Sequence, residues 1–294
     1  MGRTRLEPAT FCTSSIVRDD NEELINRFRE FLVVDMRRDK KTVYEHTYYI
    51  GKFLEQLTKP VSLVIAEDIR EYLKSLNGAG TATYKNTLGA LKLFFRDFLA
   101  MPQAVSSFKF PRQGFKPKHI LTKQQVQRFY NDIETSKERA LFMIYATSGL
   151  RRSEALSLKT EDIDFNTRMI IPNCHSGETK KSWLSFYNEE TEKVLKSYLA
   201  SKKPTRSLRL FPMPREEEKQ LWKIAKEKSG LNVTPQRLRE WFCSAMLSQG
   251  ISDSYVDAFC GRTPKSVLAK HYTDYSPEKL REIYDKANLK VLSG

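Results

Sequence analysis

Side chains that bind transition metals are scarce in this 294-residue chain. Its four cysteines (Cys12, Cys174, Cys243 and Cys260) are far apart and form no CxxC pair. Its four histidines (His46, His119, His175 and His271) are equally scattered. Cys174-His175 is the only adjacent pair, and no second pair of ligands stands at a zinc-site spacing, which argues against a metal centre. No run approaches the roughly 18 to 20 apolar residues that a membrane span needs. Met1 to Arg18 holds no uninterrupted apolar core, so no secretory signal is expected and the protein is expected inside the cell. Acids are in deficit too: 36 aspartates and glutamates face 50 lysines and arginines, a formal net charge of +14. That excess draws polyanions, so nucleic acid or an anionic membrane heads the list of partners.

What is present is enough for real cores. Hydrophobic residues make up 40% of the chain, and its length suits about two domains of roughly 150 residues each. After a polar leader over residues 1–20, a first domain over 21–101 reads as all-helical. Leu24, Phe28, Phe31 and Leu32 recur at helical steps. Thr42, with Glu45 three residues on, has the form of a capping box ahead of an apolar face of Tyr49, Phe53 and Leu57. Ile65 to Leu76 predicts a third helix, ended by Asn77-Gly78-Ala79-Gly80. Ala82 to Leu99 predicts a fourth, carrying Leu88, Leu91, Phe94, Phe95 and Phe98. Residues 102–118 hold Pro102, Pro111 and Pro117, four basic residues and no acid, and read as an interdomain linker. Phe108, Phe110 and Phe115 are placed to anchor it or to touch a partner.

A second domain, residues 119–294, mixes helices with a little sheet. Thr122 caps a helix to about Ile133, and a second runs from about Glu138 to Ser148, where Gly149 interrupts it. Arg151 to Leu158 resumes a helical turn. Ile163 to Ile171 and Trp183 to Phe186 are β-prone, and the polar His175 to Lys181 stretch between them suits a hairpin tip. Helices follow over about Glu189 to Ser201, Glu216 to Ser229, Pro235 to Gln249, Ser252 to Phe259 and Pro277 to Ala287. Thr234-Pro235 is a helix start, cap and first turn together, and Gln236 and Arg239 share a face near its positive end. The fold class expected is mainly α with a small antiparallel β-sheet, in two domains.

Ser148-Gly149-Leu150-Arg151-Arg152-Ser153-Glu154 resembles the first arginine box of the tyrosine recombinase (phage integrase) family. Thr234 to Arg239 resembles the second box, with Gln236 where histidine is usual. Cys260-Gly261-Arg262 stands where the family often has leucine-glycine-histidine, Tyr272 falls at the nucleophile position and Lys180 at the catalytic lysine. The variant set is closest to integrases of archaeal fuselloviruses and related archaeal mobile elements. The resemblance covers nearly the whole chain and implies a helical core-binding domain followed by a catalytic domain. It also implies a site-specific recombinase that cuts and rejoins double-stranded DNA.

The residues suit that chemistry. A tyrosine attacking a phosphodiester gives a 3′-phosphotyrosyl bond and a free 5′-hydroxyl that can later reverse the step, with no metal or cofactor required. Arg151, Arg239 and Arg262 then clamp the phosphate, since guanidinium forks match two non-bridging oxygens. Gln236 offers a neutral hydrogen bond. Lys180 is the candidate acid for the leaving oxygen, with Lys181 as its rival, because hairpin register is not set by sequence alone. Tyr275 is the nearest rival of Tyr272. Leu280, Ile283, Tyr284 and Ala287 form an apolar stripe in the last helix. Within one domain that stripe is a docked terminal helix; packing of the tail into a neighbouring protomer, as the resemblance implies, points instead to self-association on DNA in a tetrameric synapse. Two other classes use similar residues: a type IB topoisomerase, and a sequence-specific DNA-binding protein with little catalysis.

Overall fold

In a computed structural model that describes residues 13–112, 114, 116–172, 184–202, 207–264 and 266–293, with side chains from residue 21 onward, the chain divides between Lys116 and Pro117 into two units. Each has its own hydrophobic core. The mainly helical class with a small antiparallel sheet is as expected.

The first unit is built of helices, with no strand among its described residues. Its first helix, α1 (Thr13–Val34), begins inside the stretch read as a leader, and it buries Phe28 and Leu32, four residues apart on one face. The next, α2 (Lys40–Leu54), is capped by Asp39 and not by Thr42. The Asp39 carboxylate accepts from the amides of Lys41 and Thr42, both at 3.0 Å, and from the Thr42 hydroxyl at 2.8 Å. A carboxylate accepts several bonds at once, and its charge suits the positive helix end. Asp68 starts α3 (Ala66–Ser75) by reaching back to the Ile65 amide at 2.8 Å.

The single helix expected to Leu99 changes pitch on the way. After α4 (Thr81–Lys92) the backbone widens into a π turn over Leu93–Phe98. That widening lets two adjacent rings bury fully on different partners. Phe94 stands edge-on to Phe28 of α1 at 5.0 Å, and Phe95 edge-on to Phe53 of α2 at 5.7 Å.

Part of the stretch expected as a linker packs on the first core. Pro102–Ala104 forms a 3-10 turn, Ala104 and Val105 are buried in the first core, and Phe108 packs against it. The Lys92 ammonium holds the Val105 carbonyl at 3.2 Å and lies over the Phe110 ring. These aromatic residues therefore belong to the first unit; Phe115 lies outside the described residues.

In the second unit, α5 (Lys123–Asn131) starts at Thr122, whose hydroxyl and Gln125 form the reciprocal capping pair. Its neighbour α6 (Ser136–Ser148) is buried from Ala140 to Ser148 on every side, as a helix at the centre of a domain must be. Gly149 ends it, and α7 (Arg152–Ser157) follows. The β-prone stretch from Ile163 to Ile171 is two strands, not one. β1 (Ile163–Asp164) and β2 (Met169–Ile170) pair antiparallel, and β3 (Ser185–Phe186) adds to β2 with Ile170 opposite Ser185. The turn between β1 and β2 forms because Asp164 accepts from the Asn166 amide at 2.9 Å and the Thr167 hydroxyl at 2.6 Å. The proposed hairpin tip, with Lys180 and Lys181, lies outside the described residues. Then come α8 (Glu189–Ser201), α9 (Arg215–Ser229), α10 (Pro235–Ser248), α11 (Asp253–Phe259), the short α12 (Val267–His271) and α13 (Pro277–Lys286). Residues 267–271 were not foreseen as helix: five residues give too short a period to read.

In this single chain the apolar stripe of the C-terminal tail is seated on its own unit. Leu280, Tyr284 and Ala287 are buried, as are Leu289 and Val291 beyond α13. The Tyr284 hydroxyl donates to the Thr147 carbonyl at the end of α6 at 2.7 Å, and its ring packs on Phe186 and Phe259. The Glu190 carboxylate then gathers the chain end, accepting from the amides of Val291 (2.7 Å), Leu292 (3.1 Å) and Ser293 (2.7 Å) and from the Ser293 hydroxyl (2.6 Å).

Burial works to raise the Glu190 pKa, but these donors outweigh it and hold the carboxyl down at about 2. A folded-state pKa below the unfolded one means that this contribution is complete above about pH 4.5 and is lost as pH falls toward 2. Glu190→Gln is expected to speed hydrogen exchange at the amides of residues 291–293 on the order of tenfold at pH 7, and wild type to show the same loosening in acid. Tenfold corresponds to about 1.4 kcal/mol, near the lower end for bonds to a charged group. Unchanged exchange in the variant would leave burial of Leu289 and Val291 as the whole of the attachment.

Candidate active site

Three loops of the second unit meet where α6 ends. Gly149 closes α6 with φ +66°, the left-handed conformation that lets the chain reverse. The site has no room for a side chain: a Cβ there would lie 2.7 Å from the Phe242 ring and 3.1 Å from the Cys260 sulfur. Gly149→Ala is therefore expected to cost about 2 to 4 kcal/mol, combining left-handed strain with overpacking. Denaturant unfolding with an unchanged m-value would measure it; a loss below about 0.5 kcal/mol would mean that Phe242 simply moves aside.

Two residues on, Arg151 caps α7. Its amide donates to Glu154 Oε2 at 2.6 Å and its guanidinium to Glu154 Oε1 at 2.7 Å and to the Gly261 carbonyl at 3.1 Å. Glu154 is 1% exposed, so its charge is matched by the arginine it orients. Arg152 next door points away, to the buried Glu218 of α9, which also accepts from the Trp222 indole at 2.8 Å.

The second box starts α10 as expected. The Thr234 hydroxyl accepts from the Arg237 amide at 3.2 Å and Pro235 fills the first turn. Arg239, one turn in, is 5% exposed. Its guanidinium donates to the Gly149 carbonyl and, at 2.7 Å, to the Cys260 carbonyl. Arg262 sits just beyond, paired with Asp257 at 2.7 Å. Burial lowers the Arg239 pKa below its ordinary value, and the charges of Arg151 and Arg262 add to that. Burial also opposes the Arg262 charge, yet the Asp257 hydrogen bond and the nearby Cys260 and Cys243 sulfurs raise its pKa on balance. Three guanidiniums are thus held in one another's field by backbone carbonyls and two carboxylates. Such a cluster of like charges is eased by an anion, and a phosphodiester has the matching shape and charge.

The other expected site residues stand differently. Gln236 is exposed, and its amide donates to Glu240 Oε1 at 3.2 Å; Lys118 meets the same oxygen at 2.5 Å. That bond is to a carboxylate on its own helix, one turn on. Tyr272 follows α12 as its C-cap, 78% exposed, its amide bonded to the Leu268 carbonyl at 3.0 Å. Tyr275 is packed instead, edge-on to Tyr255 at 6.0 Å with its hydroxyl buried. Lys180 lies outside the described residues.

The residues not foreseen are mostly backbone. The carbonyls of Gly149, Cys260 and Gly261 anchor the arginines, and no side-chain signal marks a carbonyl. Arg237 ties the start of the unit to α10 by donating to the carbonyls of Asn232 (2.6 Å) and His119 (3.1 Å). The Cys243 and Cys260 sulfurs lie 3.4 Å apart beside Arg262. Among the described residues no group of three metal-ligating side chains occurs, and no helix is long and apolar enough to cross a membrane.

Residues 119–279 match the model of the phage integrase family, and residues 24–104 match that of the phage integrase N-terminal SAM-like domain. Tyrosine recombinase XerA of Pyrococcus horikoshii is 26% identical over 280 residues, covering 92% of this chain and 95% of its own. XerA of Saccharolobus solfataricus is 24% identical, covering 91% and 94%. Among solved structures, a Tn1549 transposon integrase in complex with circular intermediate DNA superposes with a TM-score of 0.65 at 18% identity, over 88% of this chain and 98% of that one. A lambda integrase (residues 75–356) dimer bound to a COC′ core site gives 0.64 at 17% identity, over 87% and 96%.

Proposed function

We infer that this chain, which belongs to the phage integrase family, is a site-specific DNA recombinase that cleaves and rejoins strands through a 3′-phosphotyrosyl intermediate. The observation that carries the reading is the arginine cluster: Arg151, Arg239 and Arg262, from three separate boxes, lie in one another's field, the first two tied by backbone carbonyls and Arg262 by the Asp257 carboxylate.

In this reading the cluster receives the scissile phosphate. The Tyr272 oxygen attacks phosphorus, the bond to the 5′ oxygen breaks, and Lys180 passes a proton to that leaving oxygen. The phenolic proton leaves to solvent or a nearby base. The guanidiniums meet the charge that builds on the non-bridging oxygens, so the step draws its electrostatic stabilisation from the protein itself. Phosphotyrosine keeps the bond energy of the diester, and a 5′-hydroxyl from another strand reverses the step without a cofactor. Gln236 acts by turning from Glu240 to a phosphate oxygen.

Double-stranded DNA is the partner, supported by the net charge of +14 and by the DNA-bound proteins that share this fold. Self-association on DNA is the second part, a tetrameric synapse being its finer form; any exchange of tails must first undo the seat that Glu190 and Tyr284 provide. A mobile-element setting of archaeal, fusellovirus type is the finer reading of its origin, and the XerA relatives bear only on the archaeal part of it. The test is a DNA site carrying a 5′-bridging phosphorothiolate, whose leaving thiol cannot religate. A protein–DNA adduct that survives denaturation, and forms equally well in a chelator, supports the reading. Binding without any adduct would reduce the protein to a DNA-binding module.

A further inference from the structure

The two described cysteines meet at the point where the arginine boxes are joined. Cys243 lies on α10, one turn beyond Arg239, and Cys260 ends α11. Their sulfurs are 3.4 Å apart. Cys260 is fully buried, its sulfur over Gly149 and its carbonyl on Arg239. Cys243 is only half-buried, and the Arg262 guanidinium reaches its sulfur at 3.9 Å. The pair is therefore one accessible and one enclosed thiol in contact, in a strongly cationic setting.

We propose that Cys243 and Cys260 form a redox-active dithiol beside the arginine cluster, which a peroxide converts to a disulfide that switches DNA cleavage off. The half-buried Cys243 is the attacking sulfur. The Cys260 thiol donates to it, and Arg262 and Arg239 favour its thiolate, all of which lower its pKa; accepting this role raises that of Cys260. The thiolate takes one oxygen from hydrogen peroxide, giving a sulfenic acid at Cys243 and hydroxide. The Cys260 thiol then displaces water from that sulfenic acid. Two thiols and one peroxide become one disulfide and two waters, the two electrons passing from sulfur to oxygen.

The consequence for the site is geometric. A disulfide is about 2.05 Å long, so the sulfurs must close by about 1.3 Å from their 3.4 Å separation. That draws the Cys260-Gly261-Arg262 turn and α10 together. The carbonyls of Cys260 and Gly261 hold Arg239 and Arg151, and Arg262 loses its sulfur contact, so all three guanidiniums are disturbed together. Misplacement of catalytic groups by about 1 Å costs on the order of 100-fold in rate.

The bond itself stands apart from the proposed function; its effect on cleavage rests on that reading. The full chain, reduced and then treated with hydrogen peroxide, is digested without reductant and its linked peptides are mapped by mass spectrometry. In parallel, single-turnover cleavage of the phosphorothiolate site is measured before peroxide, after it, and after dithiothreitol. The expected result is a Cys243–Cys260 link, cleavage reduced on the order of 100-fold, and recovery on reduction. For Cys243→Ser, the ratio of treated to untreated rate should be about one, whatever its basal rate. A reduced protein that never cleaves removes the proposed function, and the switch with it. A reduced protein that cleaves, but forms no such link, links through Cys12 or Cys174 instead, or keeps its rate when linked, overturns the switch alone.

Discussion

Tyr272→Phe is expected to abolish the covalent protein–DNA adduct while leaving duplex binding close to wild type. The change removes one oxygen from a ring that is 78% exposed, so the protein has no packing to lose. The nucleophile is lost outright, because phenylalanine has no atom that can attack phosphorus. The contrast with Tyr275→Phe makes the experiment decisive. Tyr275 hides its hydroxyl without a hydrogen-bond partner, and removing a buried, unsatisfied polar atom should leave stability unchanged or slightly raised. Adduct formation should persist there. The measurement is trapping on the phosphorothiolate site, with binding followed separately by fluorescence anisotropy. An adduct retained by Tyr272→Phe and lost by Tyr275→Phe would exchange the two roles.

Arg239→Ala is expected to lower single-turnover cleavage by roughly 10² to 10⁴, the scale of losing a transition-state oxyanion donor. Equilibrium binding to DNA should fall far less, since one cation among the many of a protein at +14 adds little to affinity. The side chain has a second duty, however. It satisfies the buried carbonyls of Gly149 and Cys260, and each unsatisfied buried group costs about 1 to 3 kcal/mol. Denaturant unfolding must therefore accompany the kinetics, at a temperature where the variant is folded. Arg239→Lys separates the two duties. It keeps the charge, yet a single ammonium lacks the planar fork that spans two carbonyls and a phosphate, so it should recover binding and only part of the rate. Equal losses of binding and cleavage in Arg239→Ala would make this residue a plain DNA contact.

Most helix boundaries were legible because the forces that set them act within four residues. Thr122 and Thr234 with Pro235 start helices where local pattern places them, and a helix begins at Glu189 as read. Where the reading failed locally, a stronger neighbour was passed over: Asp39 is a better cap than Thr42. The order of the boxes was legible as well, and so was the core of the first unit, through Phe28, Leu32, Leu88, Leu91, Phe94 and Phe95.

How the linker stretch and the tail pack was not legible, for a common reason. Proline and basic residues describe a segment's stiffness and charge, but whether Val105 and Phe108 lie on a core depends on a surface assembled from α2 to α4. The apolar stripe of α13 was correctly seen as needing burial. Sequence could not say on what, since Tyr284 meets Thr147 from 137 positions away and Glu190 meets Ser293 from 103.

The amino-acid sequence by itself determined the helices, their apolar faces, the basic character and the presence of three arginines in separate boxes, because propensity, capping and periodicity are short-range. Only the tertiary structure decided that those arginines converge. Arg151 reaches Gly261 across 110 residues, and Arg239 reaches Gly149 across 90 and Cys260 across 21. Their acceptors are backbone carbonyls, which every residue possesses and no side-chain pattern announces. Which carbonyl a guanidinium finds is settled by how α6, α10 and α11 pack, and in the same way that packing brings two distant cysteines to within 3.4 Å.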